Sequence, residues 1–247
     1  MAKMETGLMA IQDNRGYNQK YKPSKALELR EQRRCGYILN KMEPGTDKKI
    51  LEIGCGTGEL AHMIAQKTDC KILGVDICVP FIEQARRNFS RSNLEFEVLD
   101  FNDADNLKKV TAECKFDYVV GNGILHHFYY NLDEVLGNIH SLLKNGGEII
   151  FLEPNFYNPY CLLIFKIKLF RKLARLEPGE STFTKNTIAG KLKNASFADI
   201  TVEYRDFLVP GTPGFLIKPV VLLGGIIEKV PGLNMMAQSI YISARKI

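Results

Sequence analysis

The sequence holds 247 residues, 45% of them apolar, which is enough for the core of one large α/β domain. Its formal charge of +5 is 33 basic against 28 acidic residues, and residues 161–176 alone carry five basic side chains and no acid. The rest of the chain is therefore neutral overall, which argues against a nucleic-acid surface. Six cysteines (Cys35, Cys55, Cys70, Cys78, Cys114, Cys161) contain no Cys-x-x-Cys pair, and no early apolar stretch reads as a secretory signal. No apolar run reaches the ~18 uninterrupted residues of a spanning helix, so a cytoplasmic protein with reduced, buried thiols is expected.

Residues 1–22 are polar and irregular, with Tyr17 and Tyr21 as their aromatics. Ser24 predicts an N-cap, and the spacing of Leu27, Cys35, Ile38 and Leu39 predicts an amphipathic helix running to Met42. From Lys49 onward apolar runs alternate with helical periods, the signature of a parallel sheet covered on both faces. Strands are predicted at 49–53, 71–76, 94–99, 116–121 and 147–152, with helices at 59–67, 79–90, 104–112 and 131–144 between them. Asn145, Gly146 and Gly147 would end the last of these helices. A helix at 184–194 and a closing strand pair at 198–206 and 238–246 complete the pattern.

The first strand runs into Gly54, Gly56 and Gly58 in the stretch ILEIGCGTGEL, and a helical pattern follows at once. Alternate glycines permit positive φ and bring bare backbone N–H groups at a helix N-terminus against a flat ligand. Asp76 closes the second strand twenty residues past Gly56, where an acid meets ribose hydroxyls. Loop and carboxylate together indicate an adenosine ligand. Glu59 stands where a dinucleotide fingerprint needs its third glycine, and a carboxylate there repels pyrophosphate while suiting the helix dipole. With Glu52 it leaves two acids flanking the loop, which favours the cationic S-adenosylmethionine. Cys55 within the loop and Ile77 beside Asp76 are assigned to the same ligand.

On Glu52, Gly54, Gly56 and Gly58 the sequence resembles the class I methyltransferases, whose first motif is acid-x-Gly-x-Gly-x-Gly; LLKNGGEIIFLEP is similar to their segment before the fifth strand. The resemblance covers roughly residues 17–206 and the final strand. It implies an α/β, Rossmann-like three-layer sandwich whose seven-stranded, mostly parallel sheet runs 3-2-1-4-5-7-6. A single domain over 1–247 is expected, with an N-terminal lid at 1–48 and hydrophobic insertions at 154–183 and 207–236. In such a fold Asp100 would bind the adenine amino group, Phe101 would flank the ring, and Asn122 would end the fourth strand beside the cofactor. Amino-group methyltransferases carry Asn/Asp-Pro-Pro-aromatic at that point. Asn122 is followed by Gly123 instead, and the NPY at 158–160 follows the wrong strand, so an oxygen acceptor is expected.

Methyl transfer to a hydroxyl requires alignment and a proton acceptor. His126 and His127 are the candidates, with His127 expected to face the site and its neighbour to pack away; His62 and His140 fall inside helices. In layout the chain resembles the ubiquinone-pathway O-methyltransferases, which carry a Glu-x-x-Glu-His cluster able to hold a divalent cation. Aligned on His127, those acids become Gly123 and His126. A histidine pair without carboxylates is a poor hard-metal site, so no metal is expected.

In residues 161–176, Lys168, Arg171, Lys172 and Arg175 fall within an arc of roughly 100° on a helical wheel, opposite Leu162, Leu169, Phe170 and Leu173. The stretch 214–227, GFLIKPVVLLGGII, is apolar but broken by Lys218, Pro219 and two glycines. A small or lipid-linked acceptor at an anionic membrane surface accounts for both, and the quinone O-methyltransferases carry a similar membrane-touching insert. A closed lid or a homodimer interface accounts for them equally well. An RNA or protein methyltransferase, or a binding protein that has lost transfer, are the rival functions.

Overall fold

The computed structural model describes residues 12–13, 24–43, 45–101, 103 and 115–247. Tyr17, Tyr21, Cys114 and the helix expected at 104–112 lie outside them. The chain opens with α1 (Lys25–Lys41), where the Ser24 hydroxyl accepts the Leu27 N–H at 3.1 Å. Then β1 (Lys49–Ile53), α2 (Glu59–Lys67), β2 (Lys71–Asp76), α3 (Val79–Asn88), β3 (Leu94–Val98) and β4 (Phe116–Asn122) alternate. A 3₁₀ turn (Leu125–Phe128), α4 (Leu132–Leu142) and β5 (Leu143–Pro154) follow. The second half holds α5 (Pro159–Lys166), α6 (Lys168–Leu173), α7 (Lys185–Asn194), β6 (Phe197–Arg205), α8 (Gly214–Ile227), a 3₁₀ turn (Leu233–Met236) and β7 (Ser239–Lys246).

The seven strands lie in the order β3-β2-β1-β4-β5-β7-β6, with β7 antiparallel to both of its neighbours. Side chains alternate across a strand, so Ile50 and Leu51 feed opposite layers. Ile50, Ile72, Val120 and Ile150 pack with Cys35 and Ile38 of α1, Leu60 and Ile64 of α2 and Ile82 of α3. Leu51, Val119, Phe151 and Ile242 pack with Val135, Leu136 and Ile139 of α4 and Ile188 and Leu192 of α7. Each such Leu or Ile contributes roughly 1.5–3 kcal/mol on burial, and both faces of the sheet are closed.

The structure departs from the sequence expectations in two places. β5 starts at Leu143, because Asn145, Gly146 and Gly147 form a bulge rather than a helix stop. Phe116 pairs with Leu143 and Tyr118 with Glu148, so five steps along β5 match two along β4, with Gly146 at φ 79°. Residues 161–176 are not one amphipathic helix. Ile167 is extended (φ −93°, ψ 118°) and splits α5 from α6, Arg175 adopts a left-handed φ of 57°, and the basic arc is broken with them. Arg171 turns inward, donating to the carbonyls of Phe165 (2.9 Å), Glu180 (3.2 Å) and Glu177 (2.6 Å).

The apolar stretch 214–227 is α8, whose Ile217, Val220 and Val221 pack on Ala26 and Leu29 of α1 and on Leu208. Among the described residues no helix is long and apolar enough to cross a membrane. Cys35, Cys55, Cys70, Cys78 and Cys161 are buried free thiols.

Candidate active site

The glycine loop sits at the carboxyl end of β1. Its three glycines have φ of 68°, 53° and 89°, yet they serve different ends. A Cβ on Gly54 would come within 2.5 Å of Ile124, and one on Gly58 within 2.7 Å of Phe96, so packing excludes both; a Cβ on Gly56 meets nothing within 4 Å. Asp76 is tied to this loop: its two carboxylate oxygens accept the N–H groups of Gly56 at 2.9 Å and Cys78 at 2.8 Å. Burial pushes the Asp76 carboxyl up, against the pull of those N–H donors. Half-buried Ile77 is next in the chain. Glu59 opens α2 and takes the Thr57 hydroxyl on both oxygens, at 2.7 and 2.6 Å.

Glu52 is 2% exposed, and burial, with Glu31 and Glu59 adding repulsion, raises its carboxyl well above the usual range. Burial and then Glu52 do the same to the Cys55 thiol, which is packing rather than a thiolate nucleophile. Beyond β3, Asp100 is half-buried and follows Leu99, whose N–H reaches the Asp76 carbonyl at 3.0 Å. Phe101 is buried in the core, its ring 6.5 Å from that of Phe128. Asn122 ends β4 and meets α1: its carbonyl accepts from Arg34 and its amide donates to Glu31 at 3.2 Å.

The loop after Asn122 delivers the histidines. Glu153, at the end of β5 and 1% exposed, accepts the N–H groups of Ile124 (2.9 Å), Leu125 (2.7 Å) and His126 (3.3 Å), and faces His126 Nδ1 at 2.9 Å. A carboxylate only accepts, which assigns the proton to Nδ1 and leaves the Nε2 lone pair free in the neutral ring. His126 is buried, with the edge of Phe165 5.8 Å away. His127 is half-buried, with Nδ1 3.3 Å from Glu180 and 3.9 Å from Glu177, and lies close enough to Asp76 to favour its ionised form. Glu180, 3% exposed, also turns an oxygen to His126 Nε2 at 3.9 Å. The other two histidines pack elsewhere, His62 stacked on Phe89 and His140 edge-on to Phe197.

A family model described as a methyltransferase domain matches residues 51–149, which run from the glycine loop through both histidines. The structure of an S-adenosylmethionine-dependent methyltransferase from Archaeoglobus fulgidus has the same fold, with a TM-score of 0.61 at 20% identity over 89% of this chain and 94% of that one. Residues 51–149 thus match a methyltransferase domain, and the sheet around them has the fold of the S-adenosylmethionine-dependent methyltransferases. An O-methyltransferase of Pyrenophora dematioidea is 30% identical to this chain over 127 residues, 51% of the chain and 47% of the relative. A malonyl-[acyl-carrier protein] O-methyltransferase of Acetivibrio thermocellus is 33% identical over 103 residues, 41% of the chain and 34% of the relative. The chain thus spans less than half the length of these two relatives.

The residues of the glycine loop and its surroundings fit S-adenosylmethionine. Gly56 leaves its backbone open on the side a Cβ would fill, and Asp76 lies at the strand end beside it. Buried Glu52 has an Oε2 that finds no hydrogen-bond partner. Sequence reasoning missed Glu31 and Arg34, which bring α1 onto Asn122, and Glu153, Glu177 and Glu180, which surround the histidines. The expectation of no metal rested on the absence of carboxylates beside His126 and His127, and the fold removes that ground by bringing three of them in from β5 and from the loop after α6.

Proposed function

We propose that this methyltransferase moves a methyl group from S-adenosylmethionine to an acidic hydroxyl on an apolar, lipid-like acceptor presented at a membrane surface. The observation that carries this is the histidine pair, set in carboxylates at the strand ends beside the glycine loop and joined by α5 to an apolar groove. When bound, S-adenosylmethionine supplies a methyl on positively charged sulfur, a leaving group that needs no further activation. Gly56 and Asp76 would hold the ribose end, Glu59 supplies negative field beside the loop, and Glu52 would give up its proton to a cationic ligand and add a second charge.

Glu180 on His127 Nδ1 leaves Nε2 as the proton acceptor. That nitrogen would take the proton of an acceptor hydroxyl aligned with the methyl group, the one step this chain's own side chains would carry. The acceptor's apolar part has a place to lie. A groove of ≈ 430 Å³ is lined by Asn158, Pro159 and Tyr160 of the α5 end, Phe207, Ile227, Leu233 and Met236. The same helix, α5, sets Phe165 against His126. Exposed Leu169 and Leu173 on α6, with Lys168 and Lys172 beside them, and exposed Phe215, Leu222 and Ile226 on α8 are the side chains that would meet anionic lipid.

Incubation with methyl-labelled cofactor and separated lipid and aqueous cell extracts tests the reading. Label is expected in the lipid fraction. Asp76→Ala and Gly56→Val should each abolish cofactor binding, the second by filling the open side of the loop at a φ that valine rarely adopts. Label confined to RNA or protein overturns the acceptor, and titration showing NAD binding but no S-adenosylmethionine binding overturns the donor.

A further inference from the structure

We infer that His126 Nε2, His127 Nδ1 and the Glu180 carboxylate form a binding site for one divalent transition cation of the zinc class. The site stands on its own geometry, and only its role in transfer rests on the function proposed above. One ligand atom from each of the three residues lies within 4.8 Å of the other two. With metal–ligand bonds of about 2.0–2.1 Å, tetrahedral ligands sit roughly 3.3 Å apart. His127 Nδ1 lies at that length, 3.3 Å, from Glu180 Oε1, and His126 Nε2 lies 3.9 Å from the other oxygen, Oε2, so the two imidazoles approach the same carboxylate and a rotation of that group would bring one ion to all three residues.

The surroundings have the features that make such a triad bind. Glu153 holds His126 Nδ1 at 2.9 Å, so Nε2 is the nitrogen turned to Glu180 and its lone pair is fixed in direction. A carboxylate behind a ligating imidazole both orients the ring and raises its basicity. Glu180 is itself positioned, accepting the Glu177 N–H at 2.9 Å while Arg171 clamps the carbonyls of Glu177 and Glu180. Glu153 and Glu180 are almost fully buried.

Ligand type selects the ion. Two imidazoles and one carboxylate suit zinc, cobalt, iron or manganese, whereas magnesium and calcium require a shell of oxygens. With an ion on His127 Nδ1 the ring proton sits on Nε2, so in the metal-loaded protein the ion would lower the pKa of the acceptor hydroxyl in place of the base step described for the metal-free site.

The test uses the full chain, stripped by chelator and titrated with Co²⁺ by visible absorption and with Zn²⁺ by calorimetry. Saturation at one equivalent is expected, unaffected by a large excess of Mg²⁺. His127→Ala and Glu180→Gln should each weaken binding about tenfold or more, with unchanged S-adenosylmethionine affinity as the check that each variant is folded. No saturable binding, or a His127→Ala variant that binds Co²⁺ as the wild type does, overturns the site. Transfer assays on the same preparations keep the two ideas apart. Metal binding without transfer to any fraction overturns the reaction and leaves the site, whereas transfer by a protein that binds no metal overturns the site and leaves the reaction.

Discussion

Glu52 sits where a carboxylate carries a cost in stability. It is buried, its Oε2 is unpartnered, and burial above all raises its carboxyl well above the ordinary range. The folded state therefore keeps a proton that the unfolded chain gives up. For an acid with a raised folded pKa, the penalty is absent below the unfolded value of about 4.3 and grows as pH rises from there toward the folded pKa. Glu52→Gln keeps an acceptor for the Ala61 N–H but cannot ionise. It should stabilise the cofactor-free protein near neutrality, where the penalty set by the raised carboxyl is removed, and should give no gain at about pH 4. Thermal melts at the two pH values measure this. S-adenosylmethionine affinity should fall in the same variant, because stability gained with binding lost is what a site residue gives and a packing residue does not. An equal gain at both pH values would show that Glu52 carries no burdened charge.

At the scale of elements, legibility followed the range of the interactions that set each one. β1 and β2 were readable to the residue, since a short apolar run ending in Gly54 or Asp76 needs no distant partner to be a strand. The break at Ile167 was not readable. Helical periodicity runs straight through it, and the clamp that fixes the geometry joins Arg171 to carbonyls as far away as Glu180. The carboxylates around the histidines were hidden for the same reason: Glu153 and Glu180 stand 27 and 54 residues from His126 and are brought to it only by the pairing of β5 beside β4. Their one local signal was an acid closing the apolar run of β5.

The clamp itself can be tested. Arg171→Met keeps the side chain's length but removes three hydrogen bonds from a charged donor to part-buried carbonyls. It should cost about 2 kcal/mol, roughly 4–8 °C in melting temperature for a chain of this size. Cobalt affinity should fall with it, because Glu177 and Glu180 lose their anchor, while Lys172→Met on the exposed side should change neither. A variant at Arg171 that melts with the wild type would return this residue to the basic surface.

The molecule as a whole leaves large apolar side chains of α6 and α8 in solvent. Phe215, Leu222 and Ile226 are 80%, 71% and 62% exposed and share one face of α8, whereas Ile217 and Gly224 on the opposite face are buried. Two forces would hold this surface to anionic lipid, and their sizes differ. Exposed Lys168 and Lys172 contribute on the order of 1 kcal/mol each and are screened within about a Debye length. Three large apolar side chains fully inserted contribute roughly 1.5–3 kcal/mol apiece and are indifferent to salt. Insertion should therefore dominate and charge should modulate. Lys168→Glu with Lys172→Glu should reduce co-sedimentation with anionic vesicles at low salt and have little effect at high salt, with Arg171 left intact so that the loop bearing Glu180 is undisturbed. Leu222→Asp with Ile226→Asp should release the protein at every salt concentration while S-adenosylmethionine affinity is retained. If the same face instead joins two copies of the chain, the aspartate pair will lower the mass measured in solution, and a wild type that never pellets with vesicles at any salt ends the membrane proposal.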